Sequence, residues 1–145
     1  MLRTALAVTA IAVGVTVVAA QSDPIAARKA AMKEVGAQTK TGGGMAKGEV
    51  PYDQAKAQAI FASYVDASAK MPTLFPENSK TGGDTAALPA IWANKADFDA
   101  KLAKFGADAK AAQTSVKDLD SFKGAFSGVT KNCGGCHETY RAKKS

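Results

Sequence analysis

The two cysteines and the single histidine of the chain fall in one run, Cys133-Gly134-Gly135-Cys136-His137. A C-x-x-C-H run suits covalent haem attachment. Two thiols form thioethers with the two haem vinyls, and the adjacent imidazole ligates the iron. On a helix, Cys133 and Cys136 lie at i, i+3, and His137 is i+4 from Cys133, so all three face one macrocycle. Competing chemistries fit less well. A thiol-redox C-x-x-C needs no following histidine and belongs beside a βαβ pattern, which is not visible here. Structural zinc takes four ligands where this run offers three. A disulfide between residues three apart in a helix has poor geometry. The run therefore predicts one haem c, covalently held through Cys133 and Cys136, with His137 on the iron. No acid–base pair or activated nucleophile is visible elsewhere, so an enzyme is not expected.

Residues 1–20 predict a cleaved signal peptide. Arg3 is the positive n-region, Ala5 to Val18 is apolar, and Val18-Ala19-Ala20 is a small-residue cleavage site before Gln21. The apolar run is shorter than the ~18 residues of a spanning helix. Gln21-Ser22-Asp23-Pro24 reads as a fresh helix start, and no cysteine near the cleavage site offers a place for lipidation. The expected location is the periplasm, with no membrane attachment after cleavage. Residues 21–145 fit a single domain. Cleavage removes Arg3 and no acid, so a net charge of +6 becomes +5. The lysines are dispersed, which argues against nucleic acid and for a solvated surface that steers acidic redox partners.

The elements that must position the motif read as four helices. The first opens with Asp23 as N-cap and Pro24 at the first helical position and runs toward Lys47, weakened by Gly42-Gly43-Gly44. The second starts near Asp53, ends at Met71 before Pro72, and carries Ala57, Phe61, Tyr64, Ser68 and Met71 on one face. Asn94 caps the third, whose seam is Phe98, Leu102, Phe105, Ala109, Ala112 and Val116. The fourth begins near Asp118 and aligns Leu119, Phe122, Phe126, Val129, Cys133, Cys136 and Tyr140. These spacings are helical, with no sustained period of two. Short connections join the first pair and the last pair, predicting an all-α, antiparallel up-down-up-down four-helix bundle with a C-terminal haem-attachment helix. In that bundle the first and fourth helices are neighbours, so Met32 and His137 fall at one level. Met71, the long connection 72–93 and Trp92 lie at the same end, and a loop of that length needs a reason such as covering a haem edge.

The chain resembles the class II c-type cytochromes, the family of cytochrome c′ and its low-spin relatives. The matching residues are Arg28-Lys29-Ala30-Ala31-Met32-Lys33, Leu74-Phe75-Pro76, Thr81-Gly82-Gly83-Asp84, Leu88-Pro89-Ala90-Ile91-Trp92 and the run from Cys133 to Arg141. The resemblance covers the whole of residues 21–145. It implies that His137 is the proximal ligand, that Cys133 and Cys136 are the thioether anchors, that Arg28 lies near the haem propionates and that Met32 holds the distal position. In this family an unligating distal residue leaves five-coordinate, high-spin iron in proteins that bind nitric oxide and carbon monoxide. A ligating methionine makes low-spin electron carriers. Met32 fits the second branch, as one-electron transfer with Met32 as sixth ligand. A methionine facing a core is also an ordinary packing residue, and the loop from Thr81 to Pro89 is closer to cytochrome c′, which keeps the gas-binding alternative open. Met45 and Met71 are expected to pack. A homodimer through the first two helices occurs in the family, while the redox partner is not legible.

Overall fold

The computed structural model describes residues 23–143; the predicted signal peptide lies outside the described residues. Five helices appear among them: α1 (Pro24–Lys47), α2 (Gln54–Lys70), α3 (Ala90–Ala93), α4 (Lys95–Ser115) and α5 (Leu119–Tyr140). α3 is a single turn, and α1, α2, α4 and α5 form the bundle.

The helix ends follow local chemistry. The Asp23 carboxylate accepts from the Ile25 amide, with Pro24 next to it, and Asp53 accepts from Lys56 at the start of α2. Asp118 and Ser121 form a reciprocal capping box on α5. Each satisfies an amide that the first turn leaves without a carbonyl. Gly48 ends α1 in the left-handed conformation at φ 76, which costs a glycine little. One expectation needs correction. Asn94 occupies the N-cap position of α4 but its side chain makes no capping bond. The preceding turn, α3, already supplies the approach geometry, and the Asn94 amide donates to the Ala90 carbonyl.

The predicted seams are the buried faces. Phe98, Leu102, Phe105, Ala109 and Ala112 of α4 and Val116 just after it are buried, as are Phe122, Phe126 and Val129 of α5 and Ala57, Phe61, Tyr64 and Ser68 of α2. Met71 is buried too, but α2 ends one residue before it, at Lys70, and Met71 opens a 3-10 turn. Antiparallel pairing is fixed by polar cross-links. The Tyr140 hydroxyl donates to Asp97 and the Asn132 amide to Asp108, so the start of α4 lies beside the end of α5. The Gln54 amide donates to the Val116 carbonyl, tying the start of α2 to the end of α4.

α1 and α5 approach closely at Gly42. A Cβ built there would lie 2.3 Å from Cε2 of Phe126, a ring stacked on Phe122 and unable to swing aside. Gly42→Ala is therefore expected to lose about 1–3 kcal/mol to overpacking. Gly43→Ala meets nothing within 4 Å and should gain about 0.5–1 kcal/mol of helix propensity. Urea unfolding of the two variants checks the opposite signs.

The buried side chains form two clusters. The larger holds Met45, Ile60, Phe61, Tyr64, Phe105 and Phe122 among others. The smaller holds Met71, Ile91, Phe98, Leu102 and Tyr140. Met32 packs against both. The site lies between them.

Candidate functional site

A cavity of about 230 Å³ opens between the two clusters. Cys133, Cys136 and His137 line it from α5, and Met32 and Arg28 line it from α1. The five residues singled out in the sequence are thus brought to one place by helices that pair at the same level. The remaining wall is apolar and aromatic: Val35, Met71, Phe75, Ile91, Phe98, Leu102 and Phe105. Close-packed interiors do not leave such a space as a packing fault.

The donor set suits haem. Both thiols are free and half-buried, and burial pushes both above the ordinary thiol range. A thiol-redox centre needs the opposite, a depressed thiol. Burial, and then the charge of Arg141, lower His137, which favours the neutral imidazole with a lone pair for a metal. Among the described residues no group of three or more His, Cys, Asp and Glu side chains is placed to hold a metal ion by itself. A planar, largely apolar group carrying its own metal and two thiol-reactive positions fits these residues.

Arg28 departs from an ordinary surface charge. It is 4% exposed and clamps the loop that follows α2. Its Nη1 donates to the Leu74 carbonyl at 3.1 Å and Ser79 Oγ at 2.9 Å; its Nη2 donates to the Ser79 carbonyl at 2.9 Å and Thr85 Oγ1 at 2.7 Å. The guanidinium lies 4.7 Å from the Phe75 ring centroid. No carboxylate is among these partners, and burial lowers its pKa from the ordinary arginine value. The far end of the loop is clasped to the end of α5 and the chain just after it: the Leu88 amide donates to the Tyr140 carbonyl at 3.0 Å and the Ala142 amide to the Ala86 carbonyl at 2.8 Å. Loop residues Thr85, Ala86 and Ala87 complete the cavity wall. Arg28→Ala is expected to cost about 2–4 kcal/mol, because buried carbonyls lose their donors. Lysine should rescue only part, since it lacks the planar fork. Urea unfolding of the haem-loaded protein measures both.

Trp92 is at the same end of the bundle but does not line the cavity. Its indole Nε1 donates to the Phe75 carbonyl at 2.9 Å, and its ring meets Phe75 edge-on. It braces the loop. Met45 is fully buried in the larger cluster, and Met71 is buried against the cavity. Ser79 and Thr85 were not singled out, because nothing in their spacing marks them. Asn132 and Lys101 also line the cavity. Their positions beside Cys133 and one turn from Phe98 are their only sequence signal.

A family profile described as Cytochrome C′ matches residues 23–141. The chain belongs to the cytochrome c′ family. It is a class II c-type cytochrome, and its cofactor is haem c. Cytochrome c′ of Rhodopseudomonas palustris is 53% identical over 126 residues, spanning 87% of this chain and 86% of that protein. Cytochrome c-556 of the same organism is 34% identical over 148 residues, spanning 99% of each. The solved structure of R. palustris cytochrome c′ superposes with a TM-score of 0.83, covering 86% of this chain and 100% of the other. These relatives are four-helix cytochromes, which places this chain with haem proteins of electron transfer or gas binding. No helix among the described residues is long and apolar enough to cross a membrane.

Proposed function

We propose that this cytochrome is a periplasmic one-electron carrier with a single haem c. The observation that carries this reading is the position of Met32. Its side chain and His137 line the same cavity from paired helices, one thioether and one imidazole on a largely apolar wall. When bound, the haem supplies an iron that cycles between ferric and ferrous states, with a potential set by its axial ligands and burial. Cys133 and Cys136 would anchor the macrocycle through thioethers, and His137 and Met32 would offer its iron an imidazole and a thioether donor. Arg28, buried at the cavity wall with no carboxylate partner and its Nη hydrogens held by the loop, would set its positive charge beside a propionate. Phe75, Phe98, Leu102 and Phe105 exclude water and keep the site's dielectric low.

The alternative is a five-coordinate cytochrome c′ that binds nitric oxide or carbon monoxide, with Met32 packing beside the iron. The 53% identity to a cytochrome c′, against 34% to a cytochrome c-556, favours it. The absorption spectrum of the purified ferric protein separates the two. The carrier reading requires a low-spin spectrum with a weak sulfur-to-iron charge-transfer band at the red end of the visible. A high-spin ferric spectrum would replace it with the gas-binding reading.

A further inference from the structure

The chain has three tyrosines, and their hydroxyls have different partners. Tyr64 is buried and meets the Thr39 hydroxyl at 2.8 Å. Tyr52 donates to the amide oxygen of Gln54. Tyr140 is 3% exposed, and its hydroxyl donates to the Asp97 carboxylate. Of the three, Tyr140 is the one that lines the haem cavity, on α5 just beyond Cys136 and His137. Its ring meets Phe98 edge-on, 5.3 Å between centroids, and Phe98 is itself a cavity residue. Trp92, the single tryptophan, is outside the cavity wall, and its indole N–H goes to a neutral backbone carbonyl.

Tying α4 to α5 needs a hydrogen bond at Tyr140, but it does not need a carboxylate. A carboxylate adds the capacity to take the proton. Loss of an electron makes a phenol strongly acidic, so the electron leaves most easily where a base accepts the proton in the same step. The bond to Asp97, and then burial, push the Tyr140 phenol up to about 12. At neutral pH it therefore holds its proton until it is oxidised. The Asp97 side chain is 44% exposed, so a proton that reaches it passes on to water. The same carboxylate oxygen lies 3.9 Å from Lys101 Nζ, a partly solvated contact that is weak.

We propose that Tyr140, with Asp97 as its proton acceptor, is a one-electron donor to the haem site when the ferrous protein meets hydrogen peroxide. One electron comes from the ferrous iron, which becomes ferric. The second comes from Tyr140, whose proton moves to Asp97 Oδ2 and leaves a neutral phenoxyl radical. The O–O bond breaks, and peroxide takes up two protons to leave as two waters. One of those protons balances the one that Asp97 releases, and the other comes from solvent. A one-electron reductant, of the kind that returns the iron to the ferrous state, then restores the phenol with a proton from water. The donor spares the porphyrin, which would otherwise supply the second electron. The inference needs the haem c but not a ligating Met32.

The haem-loaded ferrous protein would be mixed with one equivalent of hydrogen peroxide without air. Samples would be frozen for electron paramagnetic resonance, or trapped with a nitroso spin trap and mapped by peptide mass spectrometry. A tyrosyl signal, with the trap on Tyr140, is expected. Tyr140→Phe keeps the ring and should abolish that signal. Asp97→Asn keeps a hydrogen-bond acceptor but not a base, and should slow radical formation roughly tenfold, a barrier rise of about 1.4 kcal/mol. Tyr64→Phe should leave the yield as in the wild type. A trap adduct on Tyr52, Tyr64 or Trp92 in place of Tyr140 would overturn the proposal. So would the absence of a tyrosyl signal, or wild-type kinetics in Asp97→Asn. The wild-type adduct map decides by itself where a variant fails to fold. A high-spin ferric spectrum would remove the Met32 reading and leave Tyr140 as donor; a low-spin protein with no tyrosyl radical would do the reverse.

Discussion

Met32→Leu is expected to convert the ferric protein from low-spin to high-spin, remove the red-edge charge-transfer band, lower the reduction potential and accelerate carbon monoxide binding. The direction of the potential change follows from ligand softness. A thioether stabilises ferrous over ferric iron, so its loss favours the oxidised state. The expected fall is on the order of 0.1 V, a fraction of the roughly 0.8 V over which axial ligands move haem potentials. Carbon monoxide would no longer have to displace a protein ligand, and its association rate should rise by more than tenfold. Leucine is close to methionine in volume, so the substitution should cost under about 1.5 kcal/mol of packing. The spectral change can then be read as coordination and not as unfolding. Met71→Leu is the internal control: it changes the other thioether of the cavity wall and should leave the spectrum as in the wild type. A wild type already high-spin, with gas binding indifferent to Met32→Leu, would assign Met32 to packing.

The double variant Cys133→Ala, Cys136→Ala should change haem retention from complete to none on acid-acetone extraction. Two thioethers hold the macrocycle in the wild type, and the axial ligands by themselves do not survive acid. Each single variant should retain haem through the remaining thioether. Removal of the haem from the double variant should also lower its thermal stability, because a ligand that binds only the folded state stabilises it by mass action. Haem lost from the wild type under acid-acetone would end the covalent reading.

Much of the fold was legible because its signals are local. Asp23, Asp53 and Asp118 mark three helix starts, and each makes the capping bond its position predicts. The α4 seam from Phe98 to Val116 is spaced for one helix face, and burial follows that face residue by residue. Asn94 shows where such reading fails. Its residue type suits a cap, but a short helix that starts at Ala90 already governs the chain's entry into α4.

By itself, the sequence determined which residues could attach a haem and offer its iron an imidazole. Five consecutive residues carry both thiols and the imidazole, and helical periodicity is enough to place them on one face. It also determined that Met32 and His137 fall at one level, since rise per residue and bundle order follow from lengths and connections. Tertiary structure decided what lies between and around them. The cavity exists because two apolar clusters stop short of each other. That separation depends on how Val35 and Phe105 on one side and Met71, Phe98 and Leu102 on the other pack across helices far apart in the chain. The clamp from Arg28 to Ser79 and Thr85 spans 51 and 57 residues, and no local pattern encodes a bond over that distance. Charge and shape at a surface are properties of neighbours in space, and only the folded chain sets who those neighbours are.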